Sequence, residues 1–328
     1  MKPNASALLA LTILALAAYP AVAQSVRIEG SSAGLTISQA AAAEFRRANS
    51  KASVSVGVAG SGGAFAKLCR GEADLVHSAR AILKAEIEAC NKAKVQFVEL
   101  PVAFDAVAVV VNPRNPFVES LSLPQLRAIW TEAAQGKVVR WNQVNSSFPD
   151  APLKLLAPDA QFDGSNYFLA AVLKPGESAR RDFMGSVDDN VLIQGVARDL
   201  NTLSYLPMAT YLENRGKLRA VPIARSEGAE AVTPSPENIA GGRYQPLSRP
   251  IFLYVNAAAL ARPEVAALAQ YYAANAARLA RSAGYVSLSD RAYRASEDRL
   301  RRRTTGSVWG GETPVGLTVA ELQKREGL

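Results

Sequence analysis

The chain has 328 residues, 49% of them hydrophobic and 20% charged, a balance that excludes a disordered or low-complexity protein. Its formal net charge is +8, but the Lys and Arg residues are scattered and no nucleic-acid motif accompanies them, so a nucleic-acid partner is not expected. Two cysteines and one histidine make a poor ligand set for a metal, and neither a metal nor a cofactor is expected.

The first 23 residues read as a secretory signal. Lys2 supplies the positive start, Ala5–Ala18 the apolar run, and Ala21-Val22-Ala23 a small-x-small cleavage site before Gln24. The apolar run is short for a membrane span. No cysteine follows the cleavage site, so the expectation is an exported, soluble protein with no lipid anchor. In an oxidising compartment Cys69 and Cys90 then read as one disulfide.

From Val26 the pattern alternates strand and helix. Val26–Ile28 is a strand, followed by Gly30-Ser31-Ser32 and a helix over Thr36–Asn49. Ala52–Val58 is a second strand, followed by Gly60-Ser61-Gly62-Gly63 and a helix start at Phe65. A strand, a small-residue turn and a helix start form an anion receptor. The first helical turn has unpaired N–H groups at the positive end of the dipole, glycine admits an anion to the backbone, and serine adds a hydroxyl. Asp74–Val76 is a short buried strand carrying His77 at its end, where the ring is expected to pack rather than act as a base. Leu83–Lys94 is helical and Val95–Leu100 a strand. Alternation of this kind predicts a mostly parallel sheet covered on both faces.

Phe104–Asn112 is nearly all apolar and reads as a central strand. Ser122 is placed to cap a helix through Trp130. Leu153–Leu156, the loop Ala157–Ser165 and a helix over Asn166–Val172 repeat the strand–loop–helix grammar a third time. Further on come a helix over Asp188–Ala197, a strand over Leu203–Leu206, a strong strand over Arg249–Val255, and helices over Val265–Ala283 and Asp290–Arg303. The cluster Arg299-Leu300-Arg301-Arg302-Arg303 reads as the solvated end of that last helix. The runs at Phe104–Val111 and Ile251–Val255 suggest two crossings between lobes, with the middle of the chain inserted into the first lobe.

Several stretches in this order resemble the periplasmic phosphate-binding proteins of ABC phosphate importers: GSSAGLTIS, GSGGAFAKLCRGEAD, SARAI, ELPVAFDAVAVVVNP, WNQVNSSFPDAPLKL, DDNVLIQGVA, YQPLSRPIFLYV and TGSVW. The resemblance spans Val26 to about Trp309. It implies an α/β, two-lobe type II periplasmic binding protein fold with discontinuous lobes joined by two hinge strands. The lobes would be 24–104 plus 255–328, and 105–254. It also implies a structural Cys69–Cys90 disulfide, a periplasmic location, inorganic phosphate as ligand and a membrane ABC permease as partner. The binding protein would be a monomer with no catalytic residues.

Carried over by position, the ligand set is Ser31, Ser32 and the backbone N–H groups of Ala33, Gly34 and Leu35 in the first loop, then Ser61, Gly62 and Gly63 in the second, then Arg80. Ala33 stands where the family often has a threonine, so one hydroxyl is missing. Arg80 has an alternative as the partner of a surface ion pair. In the third loop the family reads aspartate, Ser, Gly, Thr. Here Phe162-Asp163-Gly164 takes that place in one register, and Asp163-Gly164-Ser165 with a one-residue slip. Asp163 therefore either faces the ligand or caps the helix that follows. These departures leave a second reading open, a same-fold paralogue for another oxyanion or an organic phosphate, or a sensor. An exported hydrolase is a third, disfavoured because no G-x-S-x-G elbow is present.

Overall fold

The computed structural model describes residues 25–158, 163–186 and 188–327. The signal segment expected at 1–23 lies outside the described residues. In chain order the first part runs β1 Val26–Gly30, α1 Leu35–Ala48, β2 Val54–Val58, α2 Gly60–Cys69, β3 Leu75–Ser78, α3 Lys84–Lys92 and β4 Phe97–Val111. The middle runs β5 Leu121–Ser122, α4 Leu123–Trp130, β6 Lys154–Pro158, α5 Asp163–Val172, β7 Met184–Ser186, α6 Asp189–Arg198, β8 Thr202–Pro207 and α7 Met208–Glu213. It continues with β9 Arg219–Ala220, β10 Ile223–Ala224, β11 Ala231–Val232, α8 Pro236–Ala240 and β12 Ser248–Asn256. Last come α9 Pro263–Ser282, α10 Asp290–Arg301 and α11 Val319–Arg325.

Nine strands of the described residues form one sheet in the order β2-β1-β3-β12-β4-β8-β6-β7, with β9 also paired to β4. Its two wings are parallel: β1 with β2 and β3 on one side, β6 with β7 and β8 on the other. Between the wings β12 runs antiparallel to both β3 and β4, and β4 antiparallel to β8. The expected parallel sheet is thus broken at its centre by two long antiparallel strands, of which β4 passes from one wing to the other. Along β4 the ladder passes from β12 to β8 at Ala106 and Val107.

Two expected strands, Val95–Leu100 and Phe104–Asn112, are a single strand of 15 residues, all buried. Pro101 lies within it, although proline cannot donate to a ladder. The structure accommodates it with a register shift in β12 between Ile251 and Phe252, so that Phe252 opposes Pro101 and Ile251 opposes Ala103. Ser122 caps α4 as expected, its hydroxyl accepting from Gln125 N–H at 3.3 Å.

Helix α9 packs on α1, α10 and β4, and α10 on β4, which returns the end of the chain to the wing that holds its start. The Arg-rich stretch lies at the end of α10, where Arg301 pairs with Asp298 and Arg299 donates to Gly306 O at 2.9 Å. The Cys69–Cys90 disulfide is formed and ties the end of α2 to α3, with the two Cα atoms 4.4 Å apart. No helix among the described residues is long and apolar enough to cross a membrane.

Candidate functional site

The strand ends of one wing and the start of α5 from the other converge at the middle of the sheet. Beyond β1, Ser31 leads into a 3-10 turn over Ser32–Gly34 that continues into α1. This loop rests on His77. Ser31 N–H donates to His77 O at 3.2 Å, and His77 Nε2–H donates to Ser31 O at 2.9 Å. The ring comes so close that a Cβ on Gly30 would lie 2.2 Å from His77 Cδ2, and one on Gly34 2.6 Å from the same atom. Tyr285 fixes the other side, its hydroxyl donating to Ala33 O at 2.7 Å. Burial holds the His77 ring neutral by lowering its pKa to about 4. As expected it is packed, with its Nε2–H committed to the backbone.

The donor inventory of this loop differs from expectation. Gly34 N–H donates to Ser31 O and Leu35 N–H to Ser32 O, because the 3-10 turn closes on them. The amides of Ser32 and Ala33 sit at the first turn, where no carbonyl lies one turn back. Ser31 Oγ is fully buried and has no hydrogen-bond partner among the described residues. A buried hydroxyl without a partner costs about 1–3 kcal/mol, so its presence calls for an explanation.

The second loop is already helical. Helix α2 begins at Gly60, five residues before Phe65, so Ser61, Gly62 and Gly63 form its first turn. Gly60 makes the turn at φ 67°. Ser61 Oγ is buried and accepts from Ala79 N–H at 3.3 Å. Ser78 Oγ lies 2.7 Å from both Ser61 Oγ and Arg80 O. A hydroxyl has one proton. With Ser78 turned to Arg80 O, Ser61 donates to Ser78. Ser78 was not among the expected site residues.

Arg80 sits at the mouth of this turn. Its Nη1 and Nη2 donate to Glu86 at 2.9 and 2.8 Å, and its guanidinium lies 5.4 Å from the Phe65 ring centroid. Gly62 faces both groups, since a Cβ there would be 3.8 Å from Arg80 Nη2 and from Glu86 Oε1. The ion pair that was one alternative for Arg80 is therefore present, and it holds the guanidinium beside the second loop. Glu86 is itself fixed as the N3 residue of α3, accepting from Leu83 N–H at 2.8 Å.

Helix α5 packs on the 3-10 turn of the first loop and on α2, bringing the start of the third strand–loop–helix unit to the other two. The side chains of Asp163 and Ser165 and the loop 159–162 lie outside the described residues, as does the side-chain environment of Gly164. From Tyr167 onward α5 is described. The Tyr167 hydroxyl lies within hydrogen-bond reach of the carbonyls of Pro246 and Ser248, to one of which its proton goes, and its ring lies 5.4 Å from the Arg249 guanidinium.

Arg249 and its partner Asp105 are functional candidates that sequence reasoning passed over. They oppose each other across β12 and β4, both fully buried, with Nη2 to Oδ2 at 3.2 Å. Burial pushes the Asp105 carboxyl up to about 6 even though Arg249 and nearby hydrogen bonds pull it down. Asp189, at the start of α6 and hydrogen-bonded to Thr210 Oγ1 at 3.1 Å, is also raised by burial and also feels Arg249. The signal was a charged residue within each of two otherwise apolar strands, FDAVAVVV and RPIFLYV. The two loops thus bring hydroxyl and helix-start N–H donors together, with Arg80 beside the second loop, an arrangement that suits an oxyanion. Among the described residues no cluster of His, Cys, Asp and Glu could hold a metal ion.

A family model described as a PBP superfamily domain matches residues 17–276. Protein SphX of Synechococcus elongatus is 41% identical over 336 residues, covering 100% of this chain and 99% of the relative. The phosphate-binding protein PstS of Staphylococcus aureus is 28% identical over 83% of this chain and 81% of its own. Among solved structures, that of a possible phosphate binding protein from Planctomyces limnophilus is similar at TM-score 0.64 and 32% identity, covering 86% of this chain and 99% of that one.

Proposed function

The chain belongs to the PBP superfamily, and from that premise we propose that it is an extracytoplasmic solute-binding protein that holds inorganic phosphate between its lobes for an ABC importer. The observation that carries the reading is Ser31 Oγ, buried at the start of a helix with no partner among the described residues. Such a hydroxyl is satisfied by a ligand oxygen. Ser61, the amides at the first turns of α1 and α2, and Arg80 supply further donors, and Arg249 supplies charge from the crossing strands. The names of the phosphate-binding relatives agree with this donor set.

The lobes proposed are 24–104 plus 255–328, and 105–254, closing about β4 and β12. The antiparallel strands support that division, since β4 pairs with β12 over its first part and with β8 over its second. Asp163, Gly164 and Ser165 are proposed as the second lobe's contribution. The protein is proposed to be exported with cleavage of residues 1–23, to act as a monomer without a lipid anchor, and to deliver its ligand to a membrane permease. A binding role rather than catalysis is favoured by His77, whose buried, backbone-bonded ring is out of place for a general base.

The test is calorimetric titration of the protein and of Ser31→Ala with phosphate and sulfate. Phosphate binds the unaltered protein, and Ser31→Ala weakens it about tenfold while leaving the unliganded fold as stable or more so, because an unsatisfied hydroxyl is removed. No heat with phosphate at micromolar protein overturns the reading.

A further inference from the structure

A chamber of about 250 Å³ opens beside the anion loops. Arg80 and Tyr167 form its polar end, and Leu83, Phe252, Trp309 and Val315 line the rest. An all-oxygen anion gains nothing from such walls. The chamber is joined to the anion site through two residues. Ala79, whose N–H reaches Ser61 Oγ at 3.3 Å, lines it, as does Arg80, held at the first turn of α2. Residues 313–317 roof it, and this segment is tied across to the second lobe by Gly316 N–H donating to Tyr167 Oη at 3.3 Å and by Gln245 Nε2 donating to Leu317 O at 2.9 Å. Two apolar side chains at its rim, Leu83 and Val315, are 37% and 42% exposed. In the first loop, Ala33 presents a methyl group and no hydroxyl.

We propose that the cleft also takes a phosphate monoester or phosphonate carrying a compact apolar group, with the phosphoryl oxygens on the loops and the apolar group in this chamber. This rests on the oxyanion reading above and deepens it. Size sets the substituent: an apolar cavity of about 150 Å³ accepts a benzene ring, so a chamber of about 250 Å³ has room for one phenyl-sized group and not for a lipid tail. Burying such a group removes apolar surface from water while the charge stays on its donors. The mixture of one charged end and an apolar body is the usual character of a small-molecule site.

The experiment is titration of the full protein with inorganic phosphate, methylphosphonate and phenylphosphonate, followed by the same series on Ala170→Phe and Val315→Trp. Both substitutions are at exposed or rim positions lining the chamber and add bulk without touching the anion loops. Phenylphosphonate is expected to displace phosphate and to bind about tenfold tighter than methylphosphonate. Each variant is expected to lose about tenfold in phenylphosphonate affinity while phosphate affinity stays within about twofold. Phosphate binding with no displacement by phenylphosphonate overturns this inference and leaves the phosphate reading standing. Equal losses for both ligands in the variants, or no loss for either, overturn the placement in the chamber. Absence of binding by all three anions overturns both readings.

Discussion

The His77 ring lies under the first loop with Nε2–H on Ser31 O and its face against Gly30 and Gly34, so no water reaches it. A charged imidazole there would be desolvated with no carboxylate beside it, which is why its pKa falls from 6.5 to about 4. The consequence for stability has a definite sign. Between pH 6.5 and about 4 the unfolded chain takes up a proton that the folded chain refuses, so unfolding is favoured as pH falls. The stability is complete above pH 6.5 and lost as pH drops through about 4. A shift of this size amounts to about 3 kcal/mol over the window. Thermal unfolding midpoints measured from pH 7 to pH 4 are expected to fall more steeply for the unaltered protein than for His77→Gln, which has nothing to titrate at that position. Parallel curves for the two proteins would show that His77 does not set the acid limb.

At the scale of elements, α2 and α3 act as one unit. The first turn of α2 carries Ser61, and α3 carries Glu86, which holds Arg80 against that turn. The far ends of the two helices are joined by Cys69–Cys90, a sequence separation of 21. Closing a loop of that length contributes about 3 kcal/mol in the chain-entropy model. Urea unfolding of a Cys69→Ser, Cys90→Ser double variant is expected to show a loss of about that size, together with weaker anion binding as Glu86 loses its tether. A loss below about 1 kcal/mol would mean the folded packing alone fixes the pair. The disulfide was legible because two cysteines in a chain read as exported leave one pairing. The start of α2 was not. Three glycines in four residues argue against a helix by propensity, but Gly60 turns the chain at the sheet edge and Ala79 N–H holds Ser61 in the first turn. Tertiary contacts decided a boundary that local preference placed at Phe65. The joining of Val95–Leu100 and Phe104–Asn112 into one strand was hidden in the same way, since only the register of β12 shows that β4 runs unbroken through Pro101.

For the whole molecule, the legible parts were those encoded locally, such as loops after strands and helices with caps. The Arg249–Asp105 pair was not, because its partners are 144 residues apart and meet only through the register of the two crossing strands. That pair stands where the ladder of β4 changes from β12 to β8, with Tyr167 of α5 over the guanidinium. A fully buried ion pair at such a point has two possible explanations, structural support or a charge placed for the ligand, and they separate cleanly. Removing one partner from a buried pair costs about 3–5 kcal/mol, whereas replacing both with apolar groups of similar volume is often neutral or stabilising. Arg249→Met alone is therefore expected to lower stability by several kcal/mol and to abolish phosphate binding. Arg249→Met combined with Asp105→Leu is expected to recover stability in urea unfolding and yet to bind phosphate at least about a hundredfold more weakly, since a charge-assisted contact contributes more than a neutral one. A double variant that is both stable and fully competent for phosphate would make the pair a scaffold, and would return the charge of the site to Arg80 and the helix starts alone.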